Sequence, residues 1–211
     1  IDTSKNYYSS YNFYKLFQKK YPNVLSDYKS LKINEITIPT IQFDYYDYDT
    51  IYYNERYCKQ ISFDDYDTIV IKSQMGTGKT TIICDLVSKN KFNSICVITP
   101  RITFANSIYG SLKKADDRFV LYKDVKKSER YNSTHIVCQL ESINDLYNKY
   151  DLVIIDESES VLNQFESSTI NNHNQTLLTF GEIINKSKYC IFSDAFISDR
   201  SLLILNELRN S

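Results

Sequence analysis

From residue 67 onward, short apolar runs recur at intervals with polar stretches between them. The runs are TIVIK (Thr68 to Lys72), SICVIT (Ser94 to Thr99), RFVLY (Arg118 to Tyr122), HIVCQL (His135 to Leu140), LVIID (Leu152 to Asp156) and YCIFSD (Tyr189 to Asp194). Most are apolar at consecutive positions rather than at every second one, which describes a strand buried on both faces, as in a parallel sheet covered by helices. Between several of them the apolar positions fall three and four apart, as at Ile82, Ile83, Leu86 and Val87, the spacing of a helix with one buried face. Strands alternating with such helices predict an α/β architecture, a mainly parallel sheet with helices on both faces. In sheets of this kind ligands bind at the carboxyl ends of the strands.

The first 66 residues read differently. Tyr, Asp and Asn dominate them, with short helices expected around Asn12 to Lys20 and Val24 to Lys32, and a strand near Glu35 to Ile41. The division expected is a small Tyr-rich N-terminal appendage over 1–66 and one main lobe over 67–211. A length of 211 residues at 42% hydrophobic content suits one good core plus a minor module. The Tyr-rich run reads either as an aromatic surface on which bases stack or as amphipathic tyrosines packed over a small core.

Charge and cysteine content narrow the partners. Lys and Arg number 25 against 26 Asp and Glu, so the chain has no overall basic field, and a polyanion would have to be held by a local patch. The five cysteines are odd in number and scattered, without a Cys-x-x-Cys pair. They read as thiols of a reducing, intracellular compartment (cytoplasm, nucleus or viral replication site) rather than as disulfides or zinc ligands. No apolar run has the length of a membrane span and no signal-peptide pattern opens the chain, so no membrane partner is expected. The first residue, Ile1, suggests a piece of something longer, and the richness in Tyr, Asn, Ile and Lys without Trp suggests an A+T-rich genome.

The chain has only four glycines, and two of them, Gly76 and Gly78, stand together in SQMGTGKTT (Ser73 to Thr81). Glycine serves where the backbone must take positive φ or approach a ligand closely. A strand, a glycine turn, Lys-Thr and an apolar helix make the context of a phosphate-binding loop. The amides of Gly76, Thr77, Gly78 and Lys79 would wrap a triphosphate, with the positive end of the following helix behind them. Lys79 would reach the β- and γ-phosphates of ATP, the Thr80 hydroxyl would ligate Mg²⁺, and Thr81 completes the binding segment. The usual loop begins with Gly, and Ser73 stands in that place, the variant found in helicases.

A phosphate site with magnesium needs a carboxylate at a nearby strand end. Asp156 closes LVIID and can hold Mg²⁺ through water, while Glu157, pointing to another side, can activate the attacking water. Three further strand ends carry polar groups. Thr99 and Arg101 in VITPRITFANSI, with Pro100 just inside a helix start, can grip a nucleic-acid phosphate or simply form a capped helix. Gln139, Glu141 and Ser142 end another strand on the same edge. Ser193 and Asp194 end a strand expected beside that of Asp156, from which Asp194 would sense the Mg²⁺-bound phosphates. Lys123, Lys126, Lys127 and Arg130 read as a basic patch or as a solvated loop.

In order and spacing, SQMGTGKTT, VITPRITFA, HIVCQLESI, LVIIDESES and IFSDA resemble motifs I, Ia, Ic, II and III of superfamily 2 helicases. More narrowly they resemble the helicase of herpesvirus replication origin-binding proteins and their relatives in giant DNA viruses. The likeness runs from about Asp67 to Arg209. It implies a RecA-like P-loop NTPase lobe, the first of two, that binds ATP and Mg²⁺ through Walker A and Walker B motifs and moves on nucleic acid, DNA favoured over RNA. Lys79, Asp156 and Glu157 would then be catalytic; Thr99, Arg101, Gln139 and Ser142 would contact nucleic acid; Ser193 and Asp194 would couple the two. Motifs IV to VI, and with them the second lobe's arginine finger, have no counterpart in this sequence, and Arg200 and Arg209 in the closing helix are no substitute. The isolated lobe is therefore expected to hydrolyse ATP poorly. An adenine-contacting residue just upstream, Tyr57 or Gln60, is a candidate. Two other functions compete: a catalytically weak nucleic-acid-binding or assembly module, and a P-loop kinase, which would not need the Asp156-Glu157 pair.

Overall fold

The computed structural model describes residues 50–51, 56–58, 60–146 and 149–210. The helices expected at Asn12 to Lys20 and Val24 to Lys32, the strand at Glu35 to Ile41 and most of the Tyr-rich run lie outside these residues.

Six strands form one sheet: β1 (Thr68–Lys72), β2 (Ile95–Thr99), β3 (Val120–Leu121), β4 (His135–Gln139), β5 (Leu152–Asp156) and β6 (Tyr189–Asp194). Their spatial order is β1-β6-β5-β2-β4-β3, and every pairing is parallel. β2 and β5 are buried along their whole length, as their uninterrupted apolar runs require. Five α-helices lie among the described residues: α1 (Lys79–Lys89), α2 (Ile102–Ala115), α3 (Ser158–Gln164), α4 (His173–Lys186) and α5 (Asp199–Asn210). Each covers apolar strand side chains that would otherwise face water, and each buried Ile or Leu contributes roughly 1.5–3 kcal/mol.

Alternate side chains of each strand enter opposite cores. Ile71, Val97, Ile154 and Ile191 pack with Ile83 and Leu86 of α1 and with Ala105, Ile108 and Leu112 of α2. Ile98, Cys138, Ile155 and Phe192 pack with Val161 of α3, Phe180 and Ile184 of α4, and Leu205 of α5. Cys58, Ile61 and Phe63 lie against the first core, and the Phe63 ring stacks on Tyr189 with centroids 4.5 Å apart.

Two elements differ from expectation. β3 is only Val120–Leu121: Arg118 is drawn back to the Asp116 carboxylate at 2.6 Å, and at Tyr122 the chain enters a 3-10 turn. Pro100 stands ahead of the helix rather than inside it, because Arg101 is the N-cap of α2. Among the described residues no helix is long and apolar enough to cross a membrane.

Candidate nucleotide and nucleic-acid site

At the carboxyl end of β1 the chain turns through Gly76 at φ 76 and Gly78 at φ 86, and α1 starts on the next residue. Both glycines hold left-handed backbone, where a Cβ brings strain, which is why the chain places two of its four glycines here. Gly78 is the N-cap of α1 and offers no side chain, so the first-turn amides remain for a ligand.

Ser73 uses the hydroxyl that distinguishes it from glycine. Its Oγ lies 2.5 Å from Thr77 Oγ1, and Thr77 donates to the Gln74 carbonyl at 2.7 Å. A segment upstream completes the clasp: the Cys58 amide donates to Thr77 O at 3.0 Å and its thiol to Ser73 Oγ at 3.2 Å. Neither the clasp nor the role of Cys58 was visible in the sequence, where Ser73 registered only as a departure from pattern. The Lys79 ammonium, nearly buried, donates to the carbonyls of Ser73 at 2.5 Å and Gln74 at 3.1 Å.

The strand of Asp156 is not the immediate neighbour of β1, since β6 lies between them. In the register Asp156 stands opposite Ser193, and Lys72 opposite Asp194. The carboxyl end of β6 thus separates the loop from the Asp156 carboxylate. All the same, Asp156 and Glu157 line one cleft of about 600 Å³ together with Gly76 to Ile82, Met75, Tyr57 and Cys58. Every nucleotide and metal candidate, Gly76, Thr77, Gly78, Lys79, Thr80, Thr81, Asp156 and Glu157, therefore meets in one place. Tyr57 is 59% exposed there, whereas Gln60 does not line the cleft.

Electrostatics mark the same spot. Burial, then the Glu157 charge, push the Asp156 carboxyl up to about 6, with Lys79 opposing. Burial and then the Asp194 charge raise Glu157, again against Lys79. Ser193 is wholly buried near Asp156, close enough to favour its charged form without meeting hydrogen-bond geometry. Crowded carboxylates at the end of a buried strand carry an excess of negative charge that a divalent cation would relieve, and Asp156 and the Thr80 hydroxyl, which line the same cleft, are oxygen donors of the kind Mg²⁺ takes. Glu157 stands at φ 55, the one non-glycine positive φ among the described residues.

The other candidates divide. Thr99 and Gln139 pair across β2 and β4, so they share the carboxyl edge. Thr99 is completely buried, however, and its hydroxyl lies 3.2 Å from both Arg101 O and Cys138 O. In this arrangement it shapes the turn and presents no side chain to a phosphate. Gln139 donates to Glu141 Oε2 at 3.0 Å, Ser142 lies beside the Tyr122 phenol, and Arg101 is exposed. Asp194 accepts from the Glu159 amide at 2.8 Å and the Phe196 amide at 2.9 Å, so its hydrogen bonds go to the start of α3 and to its own turn, while its charge is felt by Asp156 and Glu157. The basic stretch is largely paired: Lys126 with Glu129, and Lys127 and Arg130 with Asp145. Arg200 pairs with Glu159 at 2.9 Å, while Arg209 bonds to Ser187 O at 2.7 Å and to Thr68 Oγ1 at 3.0 Å, and neither arginine lines the cleft.

The sequence model of the family described as origin of replication binding protein matches residues 55–211. The chain belongs to this family. An uncharacterized, helicase-named protein of Acanthamoeba polyphaga mimivirus is 36% identical over 156 residues, 67% of this chain and 14% of that protein. The replication origin-binding protein of human herpesvirus 7 is 28% identical over 131 residues, 61% of this chain and 16% of that protein. The origin-binding-family chain thus spans a small part of the length of these relatives. Among solved structures, S. cerevisiae Dbp5 in a complex with ADP superposes with a TM-score of 0.52 at 15% identity, covering 69% of this chain and 42% of that one. A hypothetical ATP-dependent RNA helicase of Sulfolobus tokodaii gives 0.51 at 14% identity, covering 69% and 46%. These likenesses show the fold, a RecA-like helicase lobe.

Proposed function

We propose that this lobe binds ATP with Mg²⁺ and hydrolyses it, as the first motor lobe of a nucleic-acid helicase that works on DNA in replication. The observation that carries this reading is the single cleft in which the loop from Gly76 to Thr81 faces Asp156 and Glu157. The amides of Gly76 to Lys79 would cradle the phosphates, and Lys79 would exchange the Ser73 and Gln74 carbonyls for β- and γ-phosphate oxygens. Thr80 and Asp156 would hold Mg²⁺, which would supply positive charge to offset that of the phosphates. Tyr57 would lie along the base. Glu157 would accept the proton of a water whose oxygen attacks the γ-phosphorus, breaking the bond to the β-phosphate oxygen and leaving ADP and inorganic phosphate.

DNA is favoured over RNA because the relatives are named for replication origins. Arg101, exposed at the start of α2 on the same strand edge as Gln139, is the side chain best placed for a phosphate backbone. Because Arg200 and Arg209 are engaged elsewhere, a second lobe of the same polypeptide would supply the arginine, worth about 10³ to 10⁵ in rate in related NTPases. ATP hydrolysis measured with and without single- and double-stranded DNA and RNA tests the reading. Turnover should rise with nucleic acid, and more with DNA than with RNA. A rate indifferent to both would contradict a motor.

A further inference from the structure

Glu159 lies two residues beyond Glu157, and its carboxylate is directed into the protein rather than the cleft. Its side chain is only 15% exposed. Three groups from the start of α5 converge on it: the Ser198 amide donates to Oε1 at 2.6 Å, the Ser201 hydroxyl bonds to the same oxygen, and the Arg200 guanidinium donates to Oε2 at 2.9 Å. Ser198 immediately precedes α5, so Glu159 supplies from another element the anionic cap that this helix start favours. Burial pushes its carboxyl up, but Ser201, Ser198 and Arg200 together hold it below the usual value, so the group stays charged. Its backbone is tied as well, because the Glu159 amide donates to Asp194, whose other oxygen takes the Phe196 amide. Main chain and side chain of one residue are thus both anchored to the connection between β6 and α5. Between those anchors and the end of β5 sits Glu157 at φ 55, ψ 54, a conformation that an L residue keeps only where its surroundings impose it.

We propose that Glu159 is a positioning residue: its latch on the start of α5 holds the Glu157 backbone in the left-handed conformation that aims the general base into the cleft. The latch makes the connection from Asp194 to Ser201 part of the hydrolytic apparatus, and any movement of that connection is felt at Glu157. The inference rests on reading Glu157 as the base of ATP hydrolysis.

The test compares the parent protein with Glu159→Ala, Glu159→Gln and the double variant that combines Glu159→Ala with Ser201→Ala. Mg·ATP affinity is read by titration, turnover by steady-state kinetics, stability by thermal melting, and the Glu157 backbone by crystallography. Glu159→Ala should lower kcat at least about tenfold, with Mg·ATP affinity within about twofold of the parent, and Glu157 should leave φ near 55. Glu159→Gln keeps an acceptor for Ser198 and Ser201 and should recover part of the loss; Ser201→Ala should add little on top of Glu159→Ala. An unchanged kcat, or an equal loss of affinity and turnover with Glu157 unmoved, would overturn the proposal. A parent protein that binds ATP without hydrolysing it would instead refute the base assignment, and the position of Glu157 in the folded Glu159→Gln variant would still decide whether the latch holds it.

Discussion

Lys79 and Ser73 close the loop after β1 upon itself, the lysine ammonium donating to the serine carbonyl at 2.5 Å at the head of a helix whose first-turn amides have no side-chain cap. The cation is nearly buried and already faces the loop, so phosphate oxygens need only replace two carbonyls of the same loop. Nucleotide binding as proposed would then cost little rearrangement of the protein.

Glu157→Gln keeps the side chain's shape and leaves Asp156 and Thr80 in place. Mg·ATP affinity should stay within a few-fold of the parent while turnover falls about 10² to 10⁴-fold, the usual contribution of a positioned base. Binding titrations beside single-turnover hydrolysis check this. Parental turnover would remove Glu157 from the chemistry.

Asp156 gives the nucleotide-free protein a pH dependence of defined sign. Its carboxyl lies at about 6 in the folded chain against 3.8 ordinarily, so the folded state takes up its proton first and the buried charge destabilises the fold as pH rises through 6. At pH 7.5 Asp156→Asn should stabilise the protein by up to about 3 kcal/mol, since a carboxyl raised by one pH unit costs about 1.4 kcal/mol once ionised. The gain should shrink below pH 6 and vanish near pH 4. Urea denaturation of both proteins across this range checks it, and a difference independent of pH would contradict a raised Asp156 carboxyl.

Gly78→Ala should destabilise the fold by about 1–2 kcal/mol, because φ 86 is left-handed backbone. The new methyl would find room, its nearest neighbours being the Tyr57 ring at 3.9 Å and Thr81 Cβ at 4.0 Å. The cost is therefore backbone conformation, and Gly78→Asn, which tolerates that region better, should lose less. Equal losses in chemical denaturation would point to crowding instead.

Much of this architecture was legible in the residues. The runs at Ile95, His135, Leu152 and Tyr189 became strands because each is buried on both faces and long enough to pair, and the half-buried run at Thr68 pairs with β6 along one edge of the sheet. The candidates from Gly76 to Thr81 and the Asp156-Glu157 pair, which line one cleft, stood out for a local reason, the special backbone at glycine and the end of a buried strand. What escaped depends on tertiary neighbours. RFVLY looks like its fellow strands, and only the pull of Asp116 on Arg118 and the turn at Tyr122 shorten it. Thr99 reads as an exposed strand-end hydroxyl until Cys138 on the adjacent strand is seen to sit against it. The intervening β6, and Glu159 reaching Ser198 and Ser201 some forty residues away, follow from strand order and helix docking, which apolar periodicity does not encode.

The central claim, that the loop after β1 holds a nucleotide through Lys79, is tested most directly by calorimetric titration of Mg·ATP into the parent protein and Lys79→Ala, with melting curves to show that both are folded. A charge-assisted contact is worth about 1.5–3 kcal/mol, so the parent should bind and the variant should bind roughly 10- to 150-fold more weakly. Equal affinity in the two proteins, or no binding to the folded parent, would contradict it.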